Sequence, residues 1–132
     1  MLIRLARFAL PRTLAGEGLY TGLWLAGLLP GLVSRGPLTV LLVVVRAGVG
    51  ALQIVAAWML IRDSPSGRPI AIATLAASAV LITFETGWRL VPTNLDPTYA
   101  WWLVAGYWIY AVVAIVMLRG GADASASPRP QS

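Results

Sequence analysis

The sequence predicts an all-α integral membrane protein: an antiparallel bundle of four transmembrane helices preceded by a short N-terminal interfacial helix. The 132-residue chain is 58% hydrophobic and only 11% charged, whereas soluble domains carry roughly a quarter charged residues. Its apolar residues gather in four runs, and each run reaches the roughly 20 residues that a helix needs to cross the hydrocarbon core. The runs do not alternate in polarity, which excludes membrane-spanning strands.

Short polar segments separate the four predicted spans. The spans cover residues 14–33, 38–61, 70–91 and 99–118. Pro37 is expected at the first position of the second helix, where no hydrogen-bond donor is lost, and Pro69 should open the third helix in the same way. Asp96, which is followed by Pro97, fits an N-cap for the fourth helix. Because the connections are short, consecutive helices should pack as antiparallel neighbours.

The two ends of the chain are predicted to lie outside the bundle. Residues 1–13 carry three arginines among apolar side chains, and we interpret them as a basic interfacial helix that stops near Pro11. A cleavable signal peptide is the alternative, but the apolar run that follows has full span length and no A-x-A cleavage site is evident. The segment 119–132 is rich in Gly, Ala, Ser and Pro and is predicted to be disordered.

The placement of arginines predicts the orientation, because cytoplasmic loops of membrane proteins carry an excess of positive charge. With four spans, both termini and the second loop share one side, which holds seven arginines: Arg4, Arg7, Arg12, Arg62, Arg68, Arg119 and Arg129. The other side holds two, Arg35 and Arg89. We therefore expect both termini in the cytoplasm, with the protein in a bacterial inner membrane.

Aromatic residues gather near the predicted ends of the spans. Trp88, Trp101 and Trp102 lie at the predicted outer interface, and Trp58 lies at the inner one. Indole rings favour the headgroup region, because one edge is apolar and the other can hydrogen-bond. These positions predict an aromatic belt at each membrane surface.

Small residues recur every four positions in the first span. Gly18, Gly22 and Ala26 form one series, and Gly27 and Gly31 form another. Such residues let membrane helices approach closely, and close packing is a main source of helix association in lipid. We predict that these residues pack against another helix, either within the chain or in another subunit.

A polar cluster is predicted inside the membrane. Four ionisable residues fall within the spans: Glu17, Arg46, Glu85 and Arg89. A charge near the bilayer centre costs about 2.5–3.5 kcal/mol on the translocon scale, so a partner is expected. Arg46 and Glu85 lie at similar depth on antiparallel neighbours, and Glu85 and Arg89 share a helical face at i, i+4. We predict an Arg46–Glu85–Arg89 cluster, with Gln53, Thr83 and Thr86 as further partners.

Three interpretations of this cluster remain open. It can be an interhelical ionic lock, a site that pairs with a partner protein, a lipid phosphate or a cofactor, or part of a path for ions or protons. Glu17 is predicted to lie apart from it, near the cytoplasmic end of the first span, and to reach toward Arg12 or the headgroups. A proton-titrating carboxylate is the alternative interpretation of Glu17.

Composition argues against several classes of function. The chain has no histidine and no cysteine, so the usual zinc, haem and thiolate chemistries are excluded. We expect no catalytic activity, since no nucleophile–base pair or phosphate-binding glycine loop is present. The arginines are scattered between apolar runs, so no nucleic-acid partner is expected. No cofactor is required, and any bound lipid, quinone or pigment would be held without histidine ligation.

The function expected from the sequence is that of an accessory subunit. A chain that is almost entirely membrane-embedded suits packing against lipids and larger membrane proteins in a respiratory, photosynthetic or transport complex, or in a homo-oligomer. The alternative is a small homo-oligomeric transporter or channel that couples to protons through Glu17 or Glu85.

Overall fold

The computed structural model describes residues 2–33, 35–88 and 96–126. These residues form helices joined by turns and contain no strand. The helices are α1 (Leu2–Val33), α2 (Pro37–Ile61), α3 (Gly67–Trp88) and α4 (Pro97–Ala126). The all-helical prediction is confirmed. Within the described residues, three helices are long and apolar enough to cross a membrane, namely α2, α3 and the Pro97–Gly120 part of α4, which is typical of an integral membrane protein.

Helix α1 differs most from its prediction. It runs without a break through Pro11, although a proline removes one backbone hydrogen bond. Leu10 and Leu14, before and after this proline, are both buried, so side-chain packing holds this part of the helix in place. A separate interfacial helix over residues 1–13 is therefore not confirmed. Nor is the fourth span, because Glu17 and five glycines lower the hydropathy of α1.

The turns follow the local signals of the sequence. Gly36 precedes α2 with a φ of +114°, a conformation that side chains with a Cβ rarely adopt, and Pro37 occupies the first turn of the helix. At the start of α4, the carboxylate of Asp96 accepts a hydrogen bond of 2.9 Å from the backbone N–H of Thr98. The N-cap predicted for Asp96 is therefore present.

Helix α4 continues to Ala126, although disorder was expected from residue 119. The two glycines at the start of this segment each disfavour a helix by about 1 kcal/mol. Extending an existing helix avoids the cost of nucleation, however, and each added residue forms one more backbone hydrogen bond. Residues 127–132 of the predicted tail, and residues 89–91 of the predicted third span, lie outside the described residues.

The four helices pack mainly against their neighbours along the chain, and α1 also contacts α4. The closest approach is between α1 and α2, where a Cβ added to Gly18 would lie 2.6 Å from the carbonyl oxygen of Gly50. A core of leucine and alanine side chains fills the end of the bundle that contains the first half of α1. Its buried members are Leu10, Leu14, Ala56, Ala57, Ala71, Leu75, Ala79, Ala111, Ala114 and Leu118. Polar side chains lie next to this core, at mid-bundle.

Candidate functional site

An ion pair joins α2 and α3. The guanidinium of Arg46 donates to a carboxylate oxygen of Glu85, and their side chains are 21% and 8% exposed. Arg46 lies three residues, about 4.5 Å, from Val49 at the midpoint of α2 (Pro37–Ile61). Arg46 therefore holds a charge near the middle of α2, where an isolated charge would be costly, and Glu85 supplies the opposite charge.

Arg46 is also held by α1. Its guanidinium carbon lies 5.0 Å from the centroid of the Trp24 ring, within the range of a cation–π interaction. The Nε atom of Arg46 is buried and has no hydrogen-bond partner among the described residues. One side chain thus connects three helices and still has one donor available.

Glu17 bonds to α4. The phenol of Tyr107 donates a hydrogen bond to a carboxylate oxygen of Glu17, and Tyr107 also interacts with the side chain of Ser78 on α3. The sequence suggested that Glu17 reaches toward Arg12 or the headgroups. Instead, its carboxylate is turned into the bundle, because Tyr107 supplies a donor there.

The depth of Glu17 also differs from its prediction. Its neighbour Gly18 packs against Gly50, which is adjacent to Val49 at the midpoint of α2. Its partner Tyr107 lies close to the midpoint of the apolar part of α4, Pro97–Gly120. Glu17 is therefore near mid-bundle and not at an end of it.

Glu17 and Arg46 line the same cleft. The space in and around this cleft is about 220 Å³, a volume that includes the open region outside it. Its lining residues are Glu17, Thr21, Arg46, Val49, Gly50, Gln53, Ser78 and Leu81. Most of these contribute a polar group, so the two sites that the sequence treats as separate form one polar cleft between α1, α2 and α3. We call it the mid-bundle cleft.

Further hydrogen bonds connect the helices around the mid-bundle cleft. The amide of Gln53 donates to Ser78 over 3.1 Å and joins α2 to α3. The indole N–H of Trp108 donates to the hydroxyl of Thr83 over 2.8 Å and joins α4 to α3. The phenol of Tyr110 donates to Thr13 over 3.0 Å and joins α4 to α1. With the contact of Arg46 on Trp24, every neighbouring pair of helices has a polar link.

The predicted cluster is assembled in part. The structure brings Arg46 and Glu85 together, whereas Arg89 lies outside the described residues. Of the further partners, Gln53 lines the mid-bundle cleft, but Thr83 bonds to Trp108 and to the backbone of α3 instead. Thr86 forms no hydrogen bond with the pair in the part of the chain that the structure describes.

The small residues of α1 have two different environments. Gly18 is buried against α2, whereas Gly22, Ala26, Gly27 and Gly31 occupy exposed positions. Among the described residues, nothing lies within 4 Å of a Cβ added to Gly22 or Gly27. Packing within the chain therefore uses one member of the first series and leaves the rest of that helix face open.

The interface aromatics lie at the helix ends. Trp88 ends α3, and Trp101 and Trp102 belong to the first turns of α4, which places all three at the same end of the bundle. Trp58 is in the last turn of α2, at the opposite end, with the guanidinium of Arg62 4.4 Å from its ring centroid. All four are exposed. Their contact with a membrane surface stays a prediction.

Sequence reasoning missed four polar or aromatic residues of the site. They lie on three different helices: Thr21 and Trp24 on α1, Ser78 on α3 and Tyr107 on α4. Their positions along the helices could have indicated a shared site. Predicting which residues contact each other, however, requires the register of α1 against α2 and α4. Nothing in the local pattern of α1 gives that register.

The chemistry of the cleft is that of oxygen and guanidinium groups. No cluster of three or more metal-binding side chains occurs among the described residues, and imidazole and thiol groups are absent from the sequence. The site can accept and donate hydrogen bonds. Neither a protein-family model, nor a curated protein, nor a solved structure matches this chain.

Proposed function

We propose that this chain is a non-catalytic structural subunit that packs against larger membrane proteins or lipids in a respiratory, photosynthetic or transport complex. The observation that best supports this role is how its internal polar groups are used. They link each helix to its neighbours through pairs such as Arg46–Glu85, Tyr107–Glu17 and Trp108–Thr83. Hydrogen-bond networks of this kind favour one arrangement of the helices, which suits a scaffold.

The surface of α1 offers a place for a partner helix. Gly22 and Ala26 lie one turn apart on an exposed face, and a Cβ at Gly22 would meet nothing within 4 Å. Small residues let another membrane helix approach closely and gain van der Waals contact. A partner with an apolar transmembrane helix fits this face.

In this proposal α1 is the fourth span. A helix of 32 residues is about 48 Å long, which exceeds the roughly 30 Å thickness of the hydrocarbon core. It runs antiparallel to α2 with Gly18 against Gly50 and Trp24 against Arg46. If α2 crosses the bilayer, a helix packed along it in this register crosses too. The arginine-rich first turns then extend into the cytoplasmic interface of a bacterial inner membrane, with both termini inside.

Cysteine labelling tests this topology, because the chain has no cysteine of its own. Single variants Ile3→Cys, Ser34→Cys, Ser66→Cys and Thr98→Cys are exposed to a membrane-impermeant maleimide in intact cells. Ser34→Cys and Thr98→Cys should be labelled, whereas Ile3→Cys and Ser66→Cys should react only after lysis. Labelling of both Ile3→Cys and Ser34→Cys in intact cells would contradict a crossing by α1.

Native extraction in mild detergent tests the function. The chain should co-purify in a fixed ratio with a larger membrane protein. Gly22→Ile, which adds bulk to the open face of α1, should weaken that association. Val44→Ile, which adds one methylene to an exposed position of α2, is the matched control and should leave it intact. Recovery of a homodimer that takes up a substrate in response to a pH gradient would instead support the transporter alternative.

A further inference from the structure

Among the described residues, the mid-bundle cleft has unequal numbers of acidic and basic groups. These groups are Glu17 and Arg46, which line it, and Glu85, which pairs with Arg46. If all three are ionised, they carry two negative charges and one positive charge. Near the middle of a bilayer, an excess charge is costly unless a counter-charge neutralises it.

The two carboxylates have different partners. Glu85 is buried and receives the guanidinium of Arg46, so its negative charge is compensated directly. Glu17 receives the phenol of Tyr107, which donates a hydrogen bond but carries no charge. The excess charge therefore belongs to Glu17. We infer that the mid-bundle cleft is a proton-binding site in which Glu17 takes up and releases one proton.

The step requires only the hydronium ion of water. One O–H bond of hydronium breaks, an O–H bond forms on a carboxylate oxygen of Glu17 and a neutral water molecule is left; the reverse step returns the proton to water. The neutral acid removes the excess charge from the apolar surroundings. Tyr107 remains within hydrogen-bond distance of the carboxyl group in both states.

The cleft has the groups needed to hold water beside Glu17. Hydroxyl and amide groups of Thr21, Gln53 and Ser78 line it, and the buried Nε–H of Arg46 has no partner among the described residues. Buried water typically bonds to groups of this kind. Part of the cleft is open to the surroundings of the bundle.

Other charged and titratable groups also face Glu17. They are Arg46 from α2 and, from α4, Tyr107 and Tyr110, the second of which interacts electrostatically with Glu17. From α3, Glu85 acts on the site through its ion pair with Arg46.

Infrared difference spectroscopy tests the inference on the full chain in lipid nanodiscs over a pH series. A protonated carboxylic acid gives a C=O stretching band that its carboxylate lacks. We expect a band that disappears as the pH rises and that is missing in Glu17→Gln. It should remain in Asp63→Asn, which changes an exposed loop carboxylate. Tyr107→Phe should move it to a higher frequency, because the C=O group loses a hydrogen bond.

Three results would overturn the inference. One is the absence of any Glu17-dependent band across the series, which would mean a permanently ionised carboxylate. Another is loss of the band on exchanging choline for Na⁺ at constant pH, which would assign the cleft to a metal cation. If Glu17→Gln does not fold, Glu17→Asp must shift the band, and an unshifted band would belong to another acid. A scaffold with a permanently ionised Glu17 would still serve the proposed structural role, so the two proposals can fail separately.

Discussion

Helices α1 and α2 are antiparallel neighbours with the most extensive contact in the bundle, yet they differ in what positions them. Apart from Arg46 and Gln53, α2 consists of apolar and small residues. Its length and hydropathy suffice for a membrane span. α1 has a lower hydropathy and contains Glu17 in its middle. Its position depends on partners: Gly18 against Gly50, and Trp24 against Arg46.

This difference separates two sources of stability in a membrane bundle. Composition alone makes lipid the favourable environment for α2. For α1, burial of the polar middle is favourable only because α2 and α4 supply matching groups. Substitutions that remove those matches should therefore disturb α1 more than substitutions on the apolar surface of α2.

The largest effect is expected from Glu85→Gln. It removes the carboxylate that contacts Arg46, and breaking a buried ion pair from one side costs about 3–5 kcal/mol. Arg46 also contacts Trp24, so the loss should loosen both α1 and α3 around α2. Thermal unfolding in detergent, followed by circular dichroism, measures the change.

The control is the double variant Arg46→Leu with Glu85→Leu. Replacing both members of a buried pair with apolar residues is often neutral or stabilising, so the double variant should unfold close to the wild-type temperature. A Glu85→Gln variant as stable as the wild type would show that the ion pair contributes nothing to the bundle.

A smaller loss is expected from Gly18→Ala. The added Cβ would lie 2.6 Å from the carbonyl oxygen of Gly50 and 2.7 Å from a side-chain carbon of Ile54. The backbones of α1 and α2 must then separate, at a cost of about 1–3 kcal/mol. Denaturant titration in mixed micelles measures the free energy of unfolding.

Gly22→Ala, one turn away on the same helix, is the matched control. Nothing lies within 4 Å of its added Cβ, and alanine favours a helix over glycine by about 1 kcal/mol. Gly22→Ala should therefore leave stability unchanged or raise it. Equal losses in the two variants would mean that Gly18 has no special contact with α2.

The sequence predicted those parts of the fold that depend on local signals. The apolar runs locate α2, α3 and α4 to within a few residues, apart from the extension of α4 beyond residue 118. Pro37 and Asp96 mark helix starts because each acts on its own first turn. Pro11 is also a local signal, and it predicts an end of the helix because a proline removes a backbone hydrogen bond. α1 nevertheless continues through Pro11, where Leu10 and Leu14 on either side are buried.

The sequence predicted contacts within the site only where the depths of two residues could be counted from the same end of the bundle. Arg46 and Glu85 lie about 12 and 9 Å from the outer ends of the predicted spans 38–61 and 70–91, so their pairing was expected from helix rise. The depth of Glu17 was counted from residue 14, the start of the predicted span. α1 instead starts at Leu2, and it packs along α2 in the register that places Gly18 against Gly50. That register is a tertiary property, and the partnership with Tyr107 depends on it.

The smallest effect is expected from Tyr110→Phe, which tests the contact of α1 with α4, a less extensive contact than that with α2. The variant removes the hydrogen bond of 3.0 Å to Thr13 and keeps the ring. Interhelical hydrogen bonds in membranes contribute about 0.6 kcal/mol on average, so the unfolding free energy should fall by about that amount. Tyr20→Phe, which removes an exposed hydroxyl from α1 itself, should change nothing. If Tyr110→Phe lowered stability as much as Gly18→Ala, then α1 would depend on α4 as strongly as on α2, and the contrast between its two neighbours would disappear.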